Sequence, residues 1–168
     1  MGGLTEVAWA DPDSASDALK KMLAEAQFDS FWVSSIEVAL RFIRRVNSLE
    51  SSVYVDVVFS CAAKVRAGDS LTGISEQDFF YGRSKFLADI YSFIGMDVEG
   101  VYLGAGGALL ISIGKSVVEL QLSQEDLEQD SSVWEVKVDV RKPHPLPFPA
   151  SVACVATGGG EYVLTIAS

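Results

Sequence analysis

The 168-residue sequence predicts an α+β fold, with about three helices packed on a mainly antiparallel sheet of five to seven strands. Two observations carry this expectation: apolar residues recur at helical spacing early in the chain, and they alternate at strand spacing later. No internal repeat or linker interrupts the chain, so residues 1–168 read as one domain, with 1–13 as a flexible N-terminal segment.

The first helix is expected over Ser14–Phe28, where Ser14 and Asp17 stand at capping-box spacing and Leu19, Met22, Leu23 and Ala26 share a face. A second is expected from Ser34, with Glu37 three residues on and Ile36, Leu40, Ile43 and Val46 along one stripe. Arg41, Arg44 and Arg45 would then gather at its C-terminal end, where the helix dipole favours cations. From Val53 to Val65 the period becomes two, predicting one long strand with a wet face. A third helix, QDFFYGRSKFLADIYSFI, follows the Ser75/Asp78 cap. Phe79, Phe86, Ile90 and Ile94 share a face and Gly95 supplies the stop, and the abundance of aromatics implies either a thick core contact or a groove lined by Phe80, Tyr81 and Tyr91.

Strands are expected at Val101–Leu103, Leu109–Ile113, Val117–Leu122 and Val133–Arg141. In the last of these, Trp134, Val136, Val138 and Val140 alternate with charged residues, the mark of an antiparallel strand with one solvated face. The proline-rich PHPLPFP leads into a final hairpin turning at Gly158–Gly160, with Tyr162, Leu164 and Ile166 on one side.

The segment GAGGALLISIGKS, residues 104–116, resembles phosphate-binding loops in composition but fails both spacing tests. A Walker loop and a dinucleotide fingerprint each need a small residue where Leu109 stands, and a strand rather than a helix follows. It reads as two turns around a strand, Gly114-Lys115 forming a two-residue hairpin loop.

Catalytic parts are scarce. His144 is the single histidine and lies between prolines; Cys61 and Cys154 occupy apolar, strand-like contexts; no G-x-S-x-G elbow occurs. One histidine and two distant cysteines supply no zinc set, and EDLEQD lacks EF-hand spacing. No cofactor, metal or catalytic residue is therefore assigned. The N-terminus has no signal-peptide pattern and no 18-residue apolar run occurs, which implies a cytoplasmic protein.

The net charge of −10, from 23 acidic and 13 basic residues, disfavours nucleic acid and anionic membranes and favours a basic protein partner. Glu125, Asp126, Glu128 and Asp130 form an acidic cluster that can meet such a partner, with Trp134 and Trp32 as aromatic anchors. The expected function is a non-enzymatic acidic binding module, an inhibitor in the manner of immunity proteins that neutralise basic toxins. This is an analogy of charge and size without a shared motif. The alternatives are a small-molecule-binding domain or modest enzyme with a pocket between helix 79–94 and the sheet, and a subunit of a larger assembly that pairs through its strand edges.

Overall fold

In the computed structural model, residues 5–46, 51–68, 70–74, 83–126, 132–139, 147–155 and 161–167 are described. Among them the protein is a sheet-rich α+β fold of twelve strands in two antiparallel sheets, with two α-helices. The strands are β1 (Thr5–Ala10), β2 (Ala26–Val33), β3 (Val38–Val46), β4 (Ser51–Phe59), β5 (Ala62–Ala67), β6 (Ser70–Ile74), β7 (Val98–Leu103), β8 (Leu109–Ile113), β9 (Ser116–Gln121), β10 (Ser132–Asp139), β11 (Ser151–Val155) and β12 (Glu161–Ala167). The helices are α1 (Pro12–Leu23) and α2 (Arg83–Tyr91). The larger sheet runs β1-β12-β11-β10-β4-β3-β2 and the smaller β6-β5-β9-β8-β7.

The expected flexible N-terminal segment contains a strand: β1 pairs along its whole length with β12, from Thr5↔Ala167 to Ala10↔Tyr162. α1 then starts earlier than Ser14. Asp11 is the true N-cap, accepting the Ser14 N–H at 2.9 Å and the Ser14 hydroxyl at 2.8 Å, and Pro12 opens the first turn, where its missing N–H costs nothing. Those bonds hold the Asp11 carboxyl below its usual range. The predicted apolar face is correct, with Leu19, Met22 and Leu23 fully buried, but the helix stops at Leu23 and Ala26 already belongs to β2.

The second expected helix is a strand. Ser34 does accept N–H bonds from Ile36 and Glu37, at 3.4 and 3.0 Å, yet it caps the tight turn between β2 and β3. Beyond the turn, Val38, Leu40 and Phe42 are fully buried on one face, and Phe42 lies off the predicted helical stripe. The arginines follow from this change. Arg44 points to the core side, donates to the Lys21 carbonyl at the end of α1 and lies 4.3 Å from the Phe148 ring. It does serve a helix C-terminus, but of a different helix. Burial lowers its pKa from the ordinary arginine range, with Glu25 opposing the shift.

The long strand expected over Val53–Val65 divides at Ser60-Cys61, where the chain leaves the larger sheet as β4 and enters the smaller as β5. Its alternation survives the crossing: Val55, Val57, Phe59, Cys61, Ala63 and Val65 are all buried. One strand path thereby feeds a single apolar core shared by both sheets and α1.

α2 is the described part of the third expected helix; Phe79, Phe80 and Tyr81 lie outside the described residues. Phe86 and Ile90 are fully buried, with Phe86 edge-on to Phe59 at 6.4 Å. Ile94 is instead 44% exposed and Phe93 takes the core position, because α2 ends at Tyr91 and residues 92–95 form a turn in which Gly95 has a φ of +87°. Arg83 ties the start of α2 to the β2–β3 turn by donating to the carbonyls of Ser34 at 2.8 Å and Glu37 at 3.3 Å. The later strands lie close to their expected positions, though the turn at 158–160, Val140, Arg141 and His144 fall outside the described residues.

Candidate functional site

Side chains on a strand alternate between the faces of its sheet, so the ladder register decides which residues stand side by side. On the face of the larger sheet that points away from the core, the registers align Trp9, Val163, Ala153, Glu135, Val58, Ala39 and Trp32 into one row crossing all seven strands. Trp9 is 66% exposed and Trp32 42% exposed, one on each edge strand. Adjacent strands are about 4.8 Å apart, so the two indoles stand roughly 29 Å apart before sheet twist is counted. The neighbouring row holds Val7, Thr165, Ser151, Lys137, Asp56, Arg41 and Ser30.

Arg41 organises one side of this surface. Its Nε and Nη2 donate to the two Asp56 carboxylate oxygens at 2.7 and 2.8 Å, and Nη2 also reaches Asp139 at 3.2 Å. Its guanidinium lies 5.0 Å from the Trp32 ring centre and 4.9 Å from that of Tyr54. Asp56 is buried, whereas Arg41 and Asp139 are only partly covered. The hydrogen bonds that Arg41 donates to Asp56 raise its pKa further, with the nearby carboxylate charges adding to the shift against desolvation. Lys137 and Glu135 approach to 3.8 Å beside this cluster. Among the described residues, Arg41 and Lys137 thus stand with Asp56, Asp139 and Glu135, and the Arg41 guanidinium holds Trp32 and Tyr54 against this cluster.

Of the described residues expected to bind a partner, Glu125 lies at the surface and Trp134 is buried. Glu125 is exposed in the turn after β9, and Asp126 is engaged locally, its carboxylate accepting the Ser123 N–H at 2.7 Å while its own N–H donates to the Ser123 hydroxyl at 3.0 Å. Glu128 and Asp130 lie outside the described residues. Trp134 is a core residue and cannot serve as an exposed anchor. It is 1% exposed, donates its indole N–H to the Gly107 carbonyl at 2.8 Å and lies 6.2 Å from the Tyr162 ring. The alternation of β10 places it with Val136 and Val138 on the core side.

The glycine-rich segment contributes to that core contact. Ala105–Gly107 form a single 3-10 turn, and a Cβ on Gly107, whose φ is +79°, would come within 2.8 Å of the Cys154 sulfur. Gly114 takes a φ of +55° at the first central position of the β8–β9 loop, as the two-residue hairpin requires. Cys154 is buried beside this turn, and burial pushes its thiol up to about 11, away from nucleophilic use. No cluster of three or more metal-ligating side chains occurs among the described residues. No helix among them is long and apolar enough to cross a membrane.

Along the described turns of α2, Phe86 and Ile90 are buried in the core. A shallow cavity of about 150 Å³ lies on the outer face of the smaller sheet, bordered by Lys64, Arg66, Leu71, Leu110, Val117 and Glu119. Trp9 and the Arg41–Asp56 pair are the features sequence reasoning missed. The alternation in TEVAWA was the available signal for the first; the second needed the β3–β4 register.

No protein-family model, curated protein or solved structure matches this chain.

Proposed function

We propose that this protein is a non-enzymatic binding module that captures a cationic protein on the outer face of its seven-stranded sheet. The observation that carries the reading is the registered row ending in two exposed tryptophans, Trp9 and Trp32, with Glu135 at its centre and the Arg41–Asp56–Asp139 cluster beside it. Large exposed aromatics on a rigid sheet supply anchoring area at little entropic cost, and a net charge of −10 supplies long-range attraction to a basic surface. Small acidic inhibitors of basic toxins are the nearest physical analogy, and inhibition or escort of such a partner fits a surface that binds without reacting. Glu125 and Asp126 extend the acidic field and act on the rate of encounter.

The test is affinity capture from the source organism with the wild-type chain and with Trp32→Ala and Glu135→Lys variants. The expected result is a basic protein retained at low ionic strength and released at high, with affinity reduced at least about tenfold by either substitution. Reversal of Glu125 and Asp126 should slow association with less effect on dissociation. Equal capture by all variants at every salt concentration overturns the reading.

A further inference from the structure

Four strands terminate the two sheets, and three of them carry a bulge, a packed helix or edge backbone bonds. β2 carries a bulge between Phe28 and Ser30, and its edge is bonded to the segment after α2, with Phe28 N–H donating to the Met96 carbonyl and Gly95 N–H to the Phe28 carbonyl, both at 2.8 Å. β7 is bulged between Val98 and Gly100 and packs against α1. β6 is covered by α2, with the Thr72 hydroxyl donating to Asp89. β1, like β6, keeps an unbroken register to its neighbour, and among the described residues β1 has no element on its other side. An open edge presents a line of N–H and C=O groups to any extended chain, and proteins ordinarily blunt it with lysine, proline or a bulge. TEVAWA contains no lysine, proline or bulge, and its single charge is Glu6.

Charge specifies the occupant. Residues 5–19 contain Glu6, Asp11, Asp13 and Asp17 and no lysine or arginine, the first cations being Lys20 and Lys21 in the last turn of α1; β11 and β12 add Glu161 and no cation. The first cation across this sheet is Lys137 on β10. A second copy of the chain would bring the same carboxylates against themselves, whereas a cationic strand would be drawn in. The two faces of β1 also differ. Val7 and Trp9, 65% and 66% exposed, lie on the outer side, and exposed Glu6 lies on the other, opposite Ile166, itself 45% exposed.

We infer that β1 is a β-augmentation site: an extended basic segment of the partner adds to the larger sheet as an eighth strand. Its apolar residues lie beside Val7 and Trp9, and its alternating lysines or arginines lie beside Glu6 and the acidic start of α1. The inference rests on the cationic-partner reading and assigns that partner a strand-forming segment.

The probe is a synthetic peptide of about eight residues alternating lysine and valine, compared with a glutamate–valine counterpart and a lysine–valine peptide interrupted by central proline. Amide hydrogen exchange of the full chain is the readout. The lysine–valine peptide should slow exchange within residues 5–10 by at least about tenfold, and the two control peptides should not. Trp9→Lys should abolish that protection while leaving exchange in β3, β4 and β10 unchanged, which separates lost binding from lost folding.

Equal protection by the proline-interrupted peptide overturns strand addition. Protection mapping to β10 and β4 instead of β1 overturns the edge site and leaves the sheet-face reading standing. Concentration-dependent protection of β1 without peptide assigns the edge to a second copy and overturns the proposal. Failure of both cationic peptides to bind, together with failure of lysate capture, removes the edge site and the cationic-partner reading together.

Discussion

The two flanks of the seven-stranded sheet, on either side of β10, solve opposite problems. The β4–β3–β2 flank is clasped: Arg41 grips Asp56 and Asp139, Phe28 meets Phe42 edge-on at 5.3 Å, and the β2 edge is closed by backbone bonds to Gly95 and Met96. The β11–β12–β1 flank has a regular ladder from β11 outward, no cation and an open edge ending in exposed Trp9. Charged groups and part of the edge backbone are paired internally on the first flank, whereas on the second, among the described residues, the outer edge of β1 has no strand beside it.

The largest test of this contrast is truncation of an aromatic residue on each edge strand. Phe28→Ala on β2 should cost about 3–5 kcal/mol because it removes a fully buried ring, whereas Trp9→Ala on β1 should cost under about 1 kcal/mol. Urea denaturation compares them directly. Similar losses would show that β1 is packed as firmly as β2.

Next in size is Asp56→Ala, which strips Arg41 of its bidentate partner. A fully buried broken pair costs about 3–5 kcal/mol; Arg41 is partly exposed and keeps Asp139, so about 2 kcal/mol is expected by the same denaturation. Loss below about 0.5 kcal/mol would show that the flank is held by packing alone.

On the open flank, Cys154 makes stability pH-dependent. Its folded pKa of about 11 exceeds the ordinary value of 9.0, so the unfolded chain releases the thiol proton first. The stabilisation is complete below pH 9 and is lost progressively between pH 9 and about 11. Cys154→Ala should flatten that alkaline decline in a series of denaturation curves, and an unchanged slope would assign it to other groups.

The smallest effect is at the joint between α1 and β2, where Glu25 holds a φ of +57°. Glu25→Gly relieves a left-handed conformation costing a side-chain-bearing residue about 1–2 kcal/mol. Glycine's greater unfolded entropy offsets part of this, leaving a gain of up to about 1 kcal/mol. Thermal denaturation should therefore register a small rise in midpoint.

Local patterns in the sequence determined the buried face of α1, the alternation of β10, the core side of Val53–Val65 and the turns of GAGGALLISIGKS, since each depends on residues a few positions apart. Leu109 excludes the phosphate motifs by spacing alone. The segment VALRFIRRV shows where such reading stops: Leu40, Ile43 and Val46 fit a helical stripe, while Val38, Leu40 and Phe42 fit a strand. Tertiary structure chose the strand, because it buries Phe42 and places Arg41 beside an aspartate fifteen residues away. The same non-local pairing buried Trp134 and exposed Trp9. Alternation assigns residues to faces, but only the neighbouring strands, α1 and the second sheet decide which face loses water and which edge remains open.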